Sequence, residues 1–188
     1  MQRRRKVLVA TCLLGAVVFA IAGFALARPR RTATPACPSP EIRIHKSAAS
    51  LELVCAGQVE RRFPATFGAR PQGPKLEEGD ERTPEGEYVI SSRLVTPKFH
   101  RFLGINYPNA QDLQRASSLG ITRPGRGIGI HGVDARRASV ARVWTRLAAA
   151  TGLARLWGPT DGCIGLTNED VEVVYESVQP GTKVLISP

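Results

Sequence analysis

The sequence predicts a domain that is mostly β with a few helices. After residue 40, short runs of apolar and polar residues alternate with a period of two, and turn residues separate the runs. By contrast, only a few segments have the longer apolar spacing that is typical of an amphipathic helix. The part of the chain after the N-terminal segment, about 150 residues, is large enough for one hydrophobic core but not for two.

The strands and helices follow from these patterns in chain order. Alternating runs predict strands at residues 42–45, 51–54, 58–63, 88–94 and 183–186. The first three are separated by short turns, which predicts a meander of hairpins. Residues 68–86 are rich in Gly, Pro and charge without a period, so they predict a surface loop of the kind that carries function. Helices are predicted at residues 110–119, 134–150 and 171–178.

The first 40 residues have the pattern of an export segment followed by a linker. A basic cluster at residues 3–6 precedes an uninterrupted apolar run, residues 7–27, which closes with Ala25-Leu26-Ala27. A secretory signal has this pattern, but the run also has about the ~20 residues that a membrane span needs. Two alternatives are therefore open for residues 1–27, a cleaved signal peptide and an N-terminal membrane anchor. Residues 28–40 are predicted to be a stiff linker, and residues 41–188 the folded domain.

The net charge must be counted without this segment. The formal charge of the whole chain is +10, but seven basic residues and no acidic residue precede Glu41, so that about +3 remains for the domain. This mild excess removes most of the support for a nucleic-acid-binding function, and no nucleic-acid partner is expected. Scattered histidines and the lack of a cysteine pair at metal spacing argue against a zinc site, and no cofactor is expected.

The stretch of residues 160–170 has the pattern of a catalytic nucleophile. It places Cys163 in a glycine turn that runs into a helix start, with Thr167 as the N-cap. Amides near a helix N-terminus favour a thiolate and any oxyanion that forms beside it. Three nearby carboxylates oppose this effect by raising the thiol pKa, namely Asp161, Glu169 and Asp170. The cysteine therefore needs a basic partner.

His131 is the predicted partner of Cys163. The chain has three histidines, and this one ends the apolar run 127–130 and precedes Gly132, which predicts a strand end with space around it. Taken singly, a packing cysteine and a core histidine are the more common interpretations. Together, the two residues predict a thiolate–imidazolium pair near neutral pH that can later return the proton to a leaving amine.

Five separate motifs in this chain follow one another in a recognisable order. They are Lys75, then Glu78–Tyr88, then Phe99-His100 with Leu103–Asn109, then Ile130-His131-Gly132, and finally Thr160–Ile164. In this order they resemble the catalytic domain of the bacterial L,D-transpeptidases, the cysteine enzymes of peptidoglycan. The closest resemblance is to the murein L,D-transpeptidases and related murein hydrolases, and it covers residues 41–188.

The resemblance implies a β-sandwich-like catalytic domain in which Cys163 is the nucleophile and His131 the general base. The family fixes the imidazole with the backbone carbonyl just after it, here that of Gly132. Oxyanion donors are expected to be the amides of Cys163 and Gly162. Candidate contacts to the substrate, among them arginines that suit its carboxylates, are His100, Arg126, Arg82, Thr160 and Asp161. For His100 a structural hydrogen bond is an equal alternative.

The reaction implied by the resemblance is acyl transfer on peptidoglycan stem peptides. Cys163 attacks the carbonyl at the L-centre of diaminopimelate, D-alanine leaves, and the acyl-enzyme awaits an acceptor. A second stem as acceptor gives a cross-link, whereas water as acceptor, or a murein–lipoprotein bond as donor, makes the same dyad a hydrolase. A non-catalytic peptidoglycan-binding module is a further alternative. The expected location is the periplasm or cell envelope, with residues 7–27 in the inner membrane if they stay uncleaved.

Two positions depart from the common family pattern. Asp161 replaces a histidine, and Gly165 stands where arginine is common. A carboxylate beside the nucleophile either raises the thiol pKa by repulsion or serves the acceptor, and both alternatives are open. Away from this site, Cys37 and Cys55 either form a disulfide, as exported proteins allow, or remain unpaired.

Overall fold

One curled sheet of eight strands forms the frame of the domain. The computed structural model describes residues 37–133 and 160–188, and both ranges lie within the unit Ala36–Pro188. In chain order the strands are β1 (Pro40–His45), β2 (Ser50–Cys55), β3 (Gln58–Pro64), β4 (Gly86–Thr96), β5 (His100–Ile105), β6 (Gly129–His131), β7 (Ile164–Gly165) and β8 (Lys183–Ser187). Their order across the sheet is β3-β2-β1-β8-β4-β5-β6-β7.

The long strand β4 divides the sheet into two halves. Its first residues, Gly86–Val89, pair antiparallel with β8, whereas its later residues pair antiparallel with β5. A register shift between Ile90 and Ser92 marks the passage, and irregularities of this kind bend a strand. The first half therefore contains β3, β2, β1 and β8, and the second half contains β5, β6 and β7. The chain that leaves β3 meets β7 through a bridge between Thr66 and Gly165, so that the two edges of the curl approach each other.

Alternating side chains build the first half, as the sequence predicts. In β1, Ile42 and Ile44 are fully buried, and in the neighbouring parallel strand β8, Val184 and Ile186 are buried at the matching positions. Burial of such side chains is the main stabilising contribution of a core of this kind. All five predicted strands are confirmed, and each is extended by at most two residues at either end.

Two helices lie in the described part of the chain, and both begin at a capping side chain. Helix α1 (Ala110–Ser118) starts after Asn109, whose side chain accepts from the backbone amide of Asp112 in a reciprocal capping box. Helix α2 (Asn168–Ser177) starts after Thr167, which accepts from the Asp170 amide at 3.1 Å, and the predicted N-cap is therefore confirmed. The helix predicted at residues 134–150 lies outside the described residues.

Sequence reasoning missed β5 and β7. Strand β5 has the sequence HRFLGI, which is polar at one end and apolar at the other and so has no period of two. Strand β7 has two residues and is too short to give a pattern. The strand end predicted at His131 is the last residue of β6.

One cysteine pair lies within the described residues, whereas the N-terminal apolar run does not. Cys37 and Cys55 form a disulfide, which decides between the two alternatives and fastens residue 37 to the end of β2. Within residues 37–133 and 160–188, no helix has the length and apolar character to cross a membrane. The apolar run at residues 7–27 lies outside the described residues, and the predicted domain boundaries there stay predictions.

Candidate active site

Cys163 and His131 project from the same face of the second half of the sheet. Strands β6 and β7 run parallel, with Ile130 opposite Ile164 and His131 opposite Gly165. Both isoleucines are fully buried in the core. Because side chains alternate across a strand, Cys163, just before one isoleucine, and His131, just after the other, face the opposite side from the core. In this register Cys163 lies level with Gly129, and His131 lies two residues further along the neighbouring strand, so both side chains project from one face on adjacent strands.

The imidazole of His131 is held by the backbone of the next residue. Nδ1 lies 2.6 Å from the carbonyl oxygen of Gly132. Since a carbonyl can only accept, Nδ1 carries the hydrogen and Nε2 is left to accept one. The Phe99 ring lies 4.5 Å away between centroids, and the Phe102 ring is stacked at 6.3 Å. Burial lowers the pKa of His131, the Gly132 hydrogen bond raises it and the Lys98 charge lowers it, and the net shift is downward.

The turn after His131 is tied to two neighbouring elements. The Gly132 amide donates to the carbonyl oxygens of Phe99 and Arg101, at 3.0 and 3.2 Å. Asn168, at the start of α2, accepts from the Val133 amide at 2.8 Å, and a β-carbon on Gly132 would collide with its Oδ1 atom. Sequence reasoning gave Asn168 no role. Its place directly after a helix N-cap was the one available signal.

The turn that carries Cys163 is closed by the hydroxyl of Thr160. Oγ1 of Thr160 donates to the Cys163 carbonyl oxygen at 2.6 Å and accepts from the Gly162 amide at 3.1 Å. Gly162 has φ +130°, and a β-carbon there would lie 2.5 Å from the carbonyl oxygen of Arg82, so that only glycine fits. The Gly162 amide is thus engaged within the turn, and its oxyanion role stays a prediction that requires this bond to open. Thr160 holds the turn.

The thiol of Cys163 is half-buried, and its pKa is raised above the ordinary value. Burial is the largest cause, because it disfavours the charged form. A hydrogen bond with the Gly129 backbone lowers the pKa, the Asp161 carboxylate raises it, and the Lys75 and Lys98 charges lower it. Asp161 therefore repels the thiolate, as one of the two alternatives from the sequence requires.

The pKa shifts of Cys163 and His131 point away from a charged pair. The upward pKa shift of Cys163 and the downward shift of His131 both favour a neutral thiol beside a neutral imidazole. The Sγ atom lies 3.6 Å from the carbonyl oxygen of Gly127, which can accept the thiol hydrogen. The thiolate–imidazolium pair that the sequence predicts stays a prediction, which these shifts do not favour. The reason is burial, which the sequence alone does not reveal.

Comparison with known protein families identifies the family to which this domain belongs. The profile of the L,D-transpeptidase catalytic domain, YkuD, matches residues 39–186. The chain belongs to the L,D-transpeptidase family. The resemblance seen in the five motifs is therefore confirmed, and members of this family act on peptidoglycan stem peptides. No curated protein is similar enough in sequence to match the chain.

Solved structures show that the fold is shared. The helical cell shape determining protein Pgp2 from Campylobacter jejuni is 21% identical, with a TM-score of 0.54, over 79% of this chain and 47% of that chain. Bd1075 from Bdellovibrio bacteriovorus is 22% identical, with a TM-score of 0.53, over 83% and 50%. An L,D-transpeptidase from Mycobacterium smegmatis is 14% identical, with a TM-score of 0.50, over 80% and 59%. This chain thus spans about half to three-fifths of their length, and the likeness concerns the fold alone.

His100 makes the structural contact that was one of its two predicted alternatives. Its Nε2 atom lies 2.7 Å from Oε1 of Glu172, and Arg101 donates to the other carboxylate oxygen at 2.9 Å. The two side chains join the start of β5 to α2. A role for His100 in substrate contact stays a prediction.

The remaining predicted substrate contacts differ in where they lie relative to the turn that carries Cys163. Asp161 is exposed within the nucleophile turn, and Arg126 is exposed beside Gly127, whose carbonyl faces the thiol. Arg82 approaches the turn through its backbone carbonyl, which lies against Gly162. Within the described ranges, no group of three or more His, Cys, Asp or Glu residues is placed to hold a metal ion.

Gly165 allows a neighbouring segment to approach closely on the face that carries Cys163 and His131. It lies opposite His131 on one side and opposite Thr66 on the other, so that the three positions form one row across the sheet. A β-carbon on Gly165 would lie 2.5 Å from Oγ1 of Thr66 and 3.7 Å from Cγ2 of Thr160. The glycine that departs from the common family pattern is therefore required by the close approach of the neighbouring chain segment.

A partly buried carboxylate, that of Asp80, organises the loop that borders the turn of Cys163, and sequence reasoning gave it no role. Asp80 accepts from Lys75 Nζ at 2.7 Å and from the amides of Leu76, Glu77 and Arg82 at 2.8 to 3.2 Å. Burial raises the pKa of Asp80. The hydrogen bonds, of which that from Lys75 has the largest effect, together lower the pKa by more than burial raises it, so the net shift is downward. The loop thereby fixes the Arg82 carbonyl against the nucleophile turn.

Proposed function

We propose that this chain is a cysteine-dependent acyltransferase of peptidoglycan, an L,D-transpeptidase in activity as well as in family. The observation that carries the proposal is the shared face of Cys163 and His131, with Nδ1 of the imidazole bound to the Gly132 carbonyl. That bond leaves Nε2 unprotonated, which is the form a general base needs. A buried carboxylate as third member is not required, because the backbone carbonyl already orients the ring.

In the proposed acylation step, the protonated thiol of Cys163 is the starting form, which its raised pKa favours. As Sγ of Cys163 attacks the carbonyl carbon of the diaminopimelate residue, the thiol proton passes to Nε2 of His131, and the carbonyl oxygen becomes an oxyanion. The carbon–nitrogen bond to D-alanine then breaks, and the leaving amine takes the proton from Nε2. The products are a thioester on Cys163 and free D-alanine.

Deacylation repeats these steps in reverse order. An amine of a second stem peptide attacks the thioester carbon, His131 accepts its proton, and the carbon–sulfur bond breaks as the proton returns to Sγ. The product is a cross-linked pair of stems. If water attacks instead, the product is a trimmed stem. A murein-linked lipoprotein as donor would give its release.

We place this activity in the cell envelope, on the strength of the basic cluster and apolar run in residues 1–27. The substrate class requires the same location, since stem peptides are found there. The N-terminal segment either is removed or remains as an inner-membrane anchor, and the mass of the protein isolated from the envelope distinguishes the two.

The test is incubation of the purified full-length chain with purified muropeptides, followed by mass spectrometry of the products. We expect dimers and free D-alanine. Trimmed stems without dimers would favour the hydrolase, and stems freed from lipoprotein would favour the third alternative. The controls are Cys163→Ala and His131→Ala. If wild type yields no product and no acyl-enzyme while it binds muropeptides, the chain is a binding module instead.

A further inference from the structure

A cavity of about 620 Å³ lies along residues 65–72, beside the segment that pairs with β7. This volume falls in the range of about 300 to 1,000 Å³ that is usual for ligand sites. Its lining is drawn from the described residues and combines apolar groups, including Ala65 and Phe67, with polar groups that include Thr66 and three basic side chains. No acidic side chain is part of that lining. The cavity thus suits a ligand that is partly apolar and negatively charged.

One of the three basic side chains supplies a positive charge that nothing nearby offsets. Lys46 is buried and donates to Glu85 at 2.7 Å and to two backbone carbonyls, so that its charge and hydrogens are satisfied. Arg70 is exposed and lies 3.7 Å from Glu81, a pair of little energetic weight. For the guanidinium of Arg82, by contrast, no hydrogen bond or ion pair exists among residues 37–133 and 160–188.

Arg82 connects this cavity to the nucleophile turn. Its backbone carbonyl packs against Gly162, next to Cys163, while its side chain lines the cavity and comes close to Gly73. Backbone and side chain of one residue therefore touch both places. A ligand held by the guanidinium is fixed relative to the turn.

A second connection between the cavity and the site runs across the face of the sheet that carries Cys163 and His131. Thr66 lines the cavity and exchanges backbone hydrogen bonds with Gly165, at 2.9 Å in both directions. Because Gly165 has no side chain, nothing from that position separates the face that carries His131 from Thr66. Neighbouring strands lie about 4.8 Å apart, and one extended residue spans about 3.4 Å. A peptide bound at Cys163 would have to cross the row of His131, Gly165 and Thr66 to reach the cavity lining at Thr66.

We propose that this cavity is the subsite for the C-terminal carboxylate of the donor stem peptide, which Arg82 binds as a bidentate partner. The proposal rests on the proposed function, because it assigns a part of that substrate. The apolar lining then receives the methyl group of the terminal D-alanine. A planar guanidinium with five donors suits this task better than the compact ammonium of a lysine.

Binding can be measured apart from catalysis with the full-length Cys163→Ser chain. The probe is a synthetic tetrapeptide stem with a free C-terminal carboxylate, and the matched probe is the same peptide with a C-terminal amide. Calorimetric titration should show that the free acid binds about tenfold to a hundredfold more tightly, as expected for a hydrogen-bonded charged group. Adding Arg82→Gln should abolish this preference, and Arg82→Lys should restore part of it.

Arg43→Gln is the control variant. Arg43 lies on β1 in the first half of the sheet and pairs with Glu41 at 3.3 Å, so its loss should leave the preference unchanged. Arg82→Gln should leave thermal unfolding unchanged too, since no bond of the described fold depends on its guanidinium. A preference for the free acid that survives Arg82→Gln, or equal affinity for acid and amide, would overturn the proposal.

Two further outcomes separate this inference from the proposed function. If wild type forms cross-links but turnover of the free acid has the same KM in Arg82→Gln, the subsite is wrong and the enzyme stands. If wild type shows no turnover while the Arg82-dependent preference persists, the subsite stands and the proposed reaction is wrong. Arg82-dependent binding of inorganic phosphate as tight as that of the free acid would make this a general anion site and overturn the peptide assignment.

Discussion

The two halves of the sheet are built by different means. In the first half, β1 pairs with β2 over six residues and with β8 over five, and alternating apolar side chains fill the core. In the second half, β6 has three residues and β7 has two. There, glycines permit close approach, and side chains hold backbone groups in place, as Thr160 does for the nucleophile turn and Asn168 for the turn after His131. In the first half, regular strand pairing and the apolar core contribute stability. In the second half, short segments held by individual hydrogen bonds fix the positions of Cys163 and His131.

The loop of residues 68–86 joins the two halves and is anchored by two buried lysines. Lys46, in the turn after β1, binds Glu85 and the carbonyls of Gly73 and Thr83. Lys75, within the loop, binds Asp80. The first anchor fastens the loop to the regular half, and the second shapes the part of it that contacts the nucleophile turn.

The largest expected effect separates activity from stability. A substitution at Cys163 should abolish activity with little loss of stability, whereas one in the core of the first half should mainly lower stability. Cys163→Ala removes the nucleophile and should abolish acyl-enzyme formation, while the free energy of unfolding changes by about 1 kcal/mol or less, since the residue is half-buried. Ile44→Ala, at a fully buried site of β1, should destabilise by about 2–5 kcal/mol. Intact-mass analysis with muropeptides and urea unfolding measure the two quantities. Acyl-enzyme on Cys163→Ala would contradict the assignment.

The two lysine anchors should differ in what their loss does. Asp80→Asn leaves the charge of Lys75 buried, with 4% of its side chain exposed, and should destabilise by about 3–5 kcal/mol. The pKa of Asp80 is below its unfolded value of 3.8, so its ionised form contributes stability above about pH 4, and this contribution is lost as the pH falls through the folded pKa. Urea unfolding at pH 7 and pH 3 should therefore show a smaller difference between wild type and Asp80→Asn at pH 3.

Glu85→Gln is the control for this pair. Lys46 keeps two carbonyl partners in that variant, so the loss of stability should be smaller than for Asp80→Asn. Equal losses of stability in the two variants would mean that the two anchors contribute equally. The expected difference between the two parts of the loop would then be wrong.

Alanine substitutions at two glycines, one in each half of the sheet, test the difference between the halves directly. Gly132→Ala introduces a β-carbon that collides with Asn168 Oδ1, so that the turn shifts and with it the carbonyl that holds His131. A misplacement of about 1 Å can reduce the rate about a hundredfold, and we expect a kcat loss of that order. Gly57→Ala, in the turn before β3, meets nothing within 4 Å but has φ +81°, so it should lower stability by about 1–2 kcal/mol and leave kcat unchanged. A kcat loss in Gly57→Ala and none in Gly132→Ala would reverse the comparison.

The same contrast explains which features could be predicted from the sequence. The strands of the first half leave a period of two in the sequence, and the start of α2 is marked by Thr167 and Asp170, so these features were predicted. The parallel pairing of β6 with β7 depends on a contact between residues more than thirty positions apart, and no local pattern records it.

Within the site, residue types were predictable but their surroundings were not. The Gly132 carbonyl follows from the family resemblance, and its contact with His131 is present. Asn168 and Asp80 act on backbone amides that become their partners only after folding, so sequence reasoning could not assign them. The thiol pKa of Cys163 depends on how deeply the side chain is buried, which no local pattern records, and burial shifts this pKa upward, against the predicted thiolate.

The smallest expected effect concerns Asp161, the exposed carboxylate beside the nucleophile. Only the thiolate reacts with iodoacetamide, and because burial first and then the Asp161 charge raise the thiol pKa, Cys163 should alkylate more slowly at pH 7 than an ordinary cysteine and speed up as the pH rises. Asp161→Asn removes the repulsion, lowers the pKa and should accelerate alkylation a few-fold at pH 7, since the effect of an exposed charge is screened by solvent. Glu41→Gln, in the first half, should have no effect.

If Asp161 instead serves the acceptor, by holding an incoming ammonium or orienting a water, the same substitution leaves acylation nearly intact and slows deacylation. Acyl-enzyme would then accumulate in a quenched reaction with muropeptides, and the ratio of hydrolysis to transfer would change. We expect no such accumulation, because the carboxylate lies exposed in its turn and already accounts for part of the raised thiol pKa. Accumulated acyl-enzyme in Asp161→Asn would give this carboxylate a direct part in the chemistry, and the departure from the family histidine would then mark a change of acceptor.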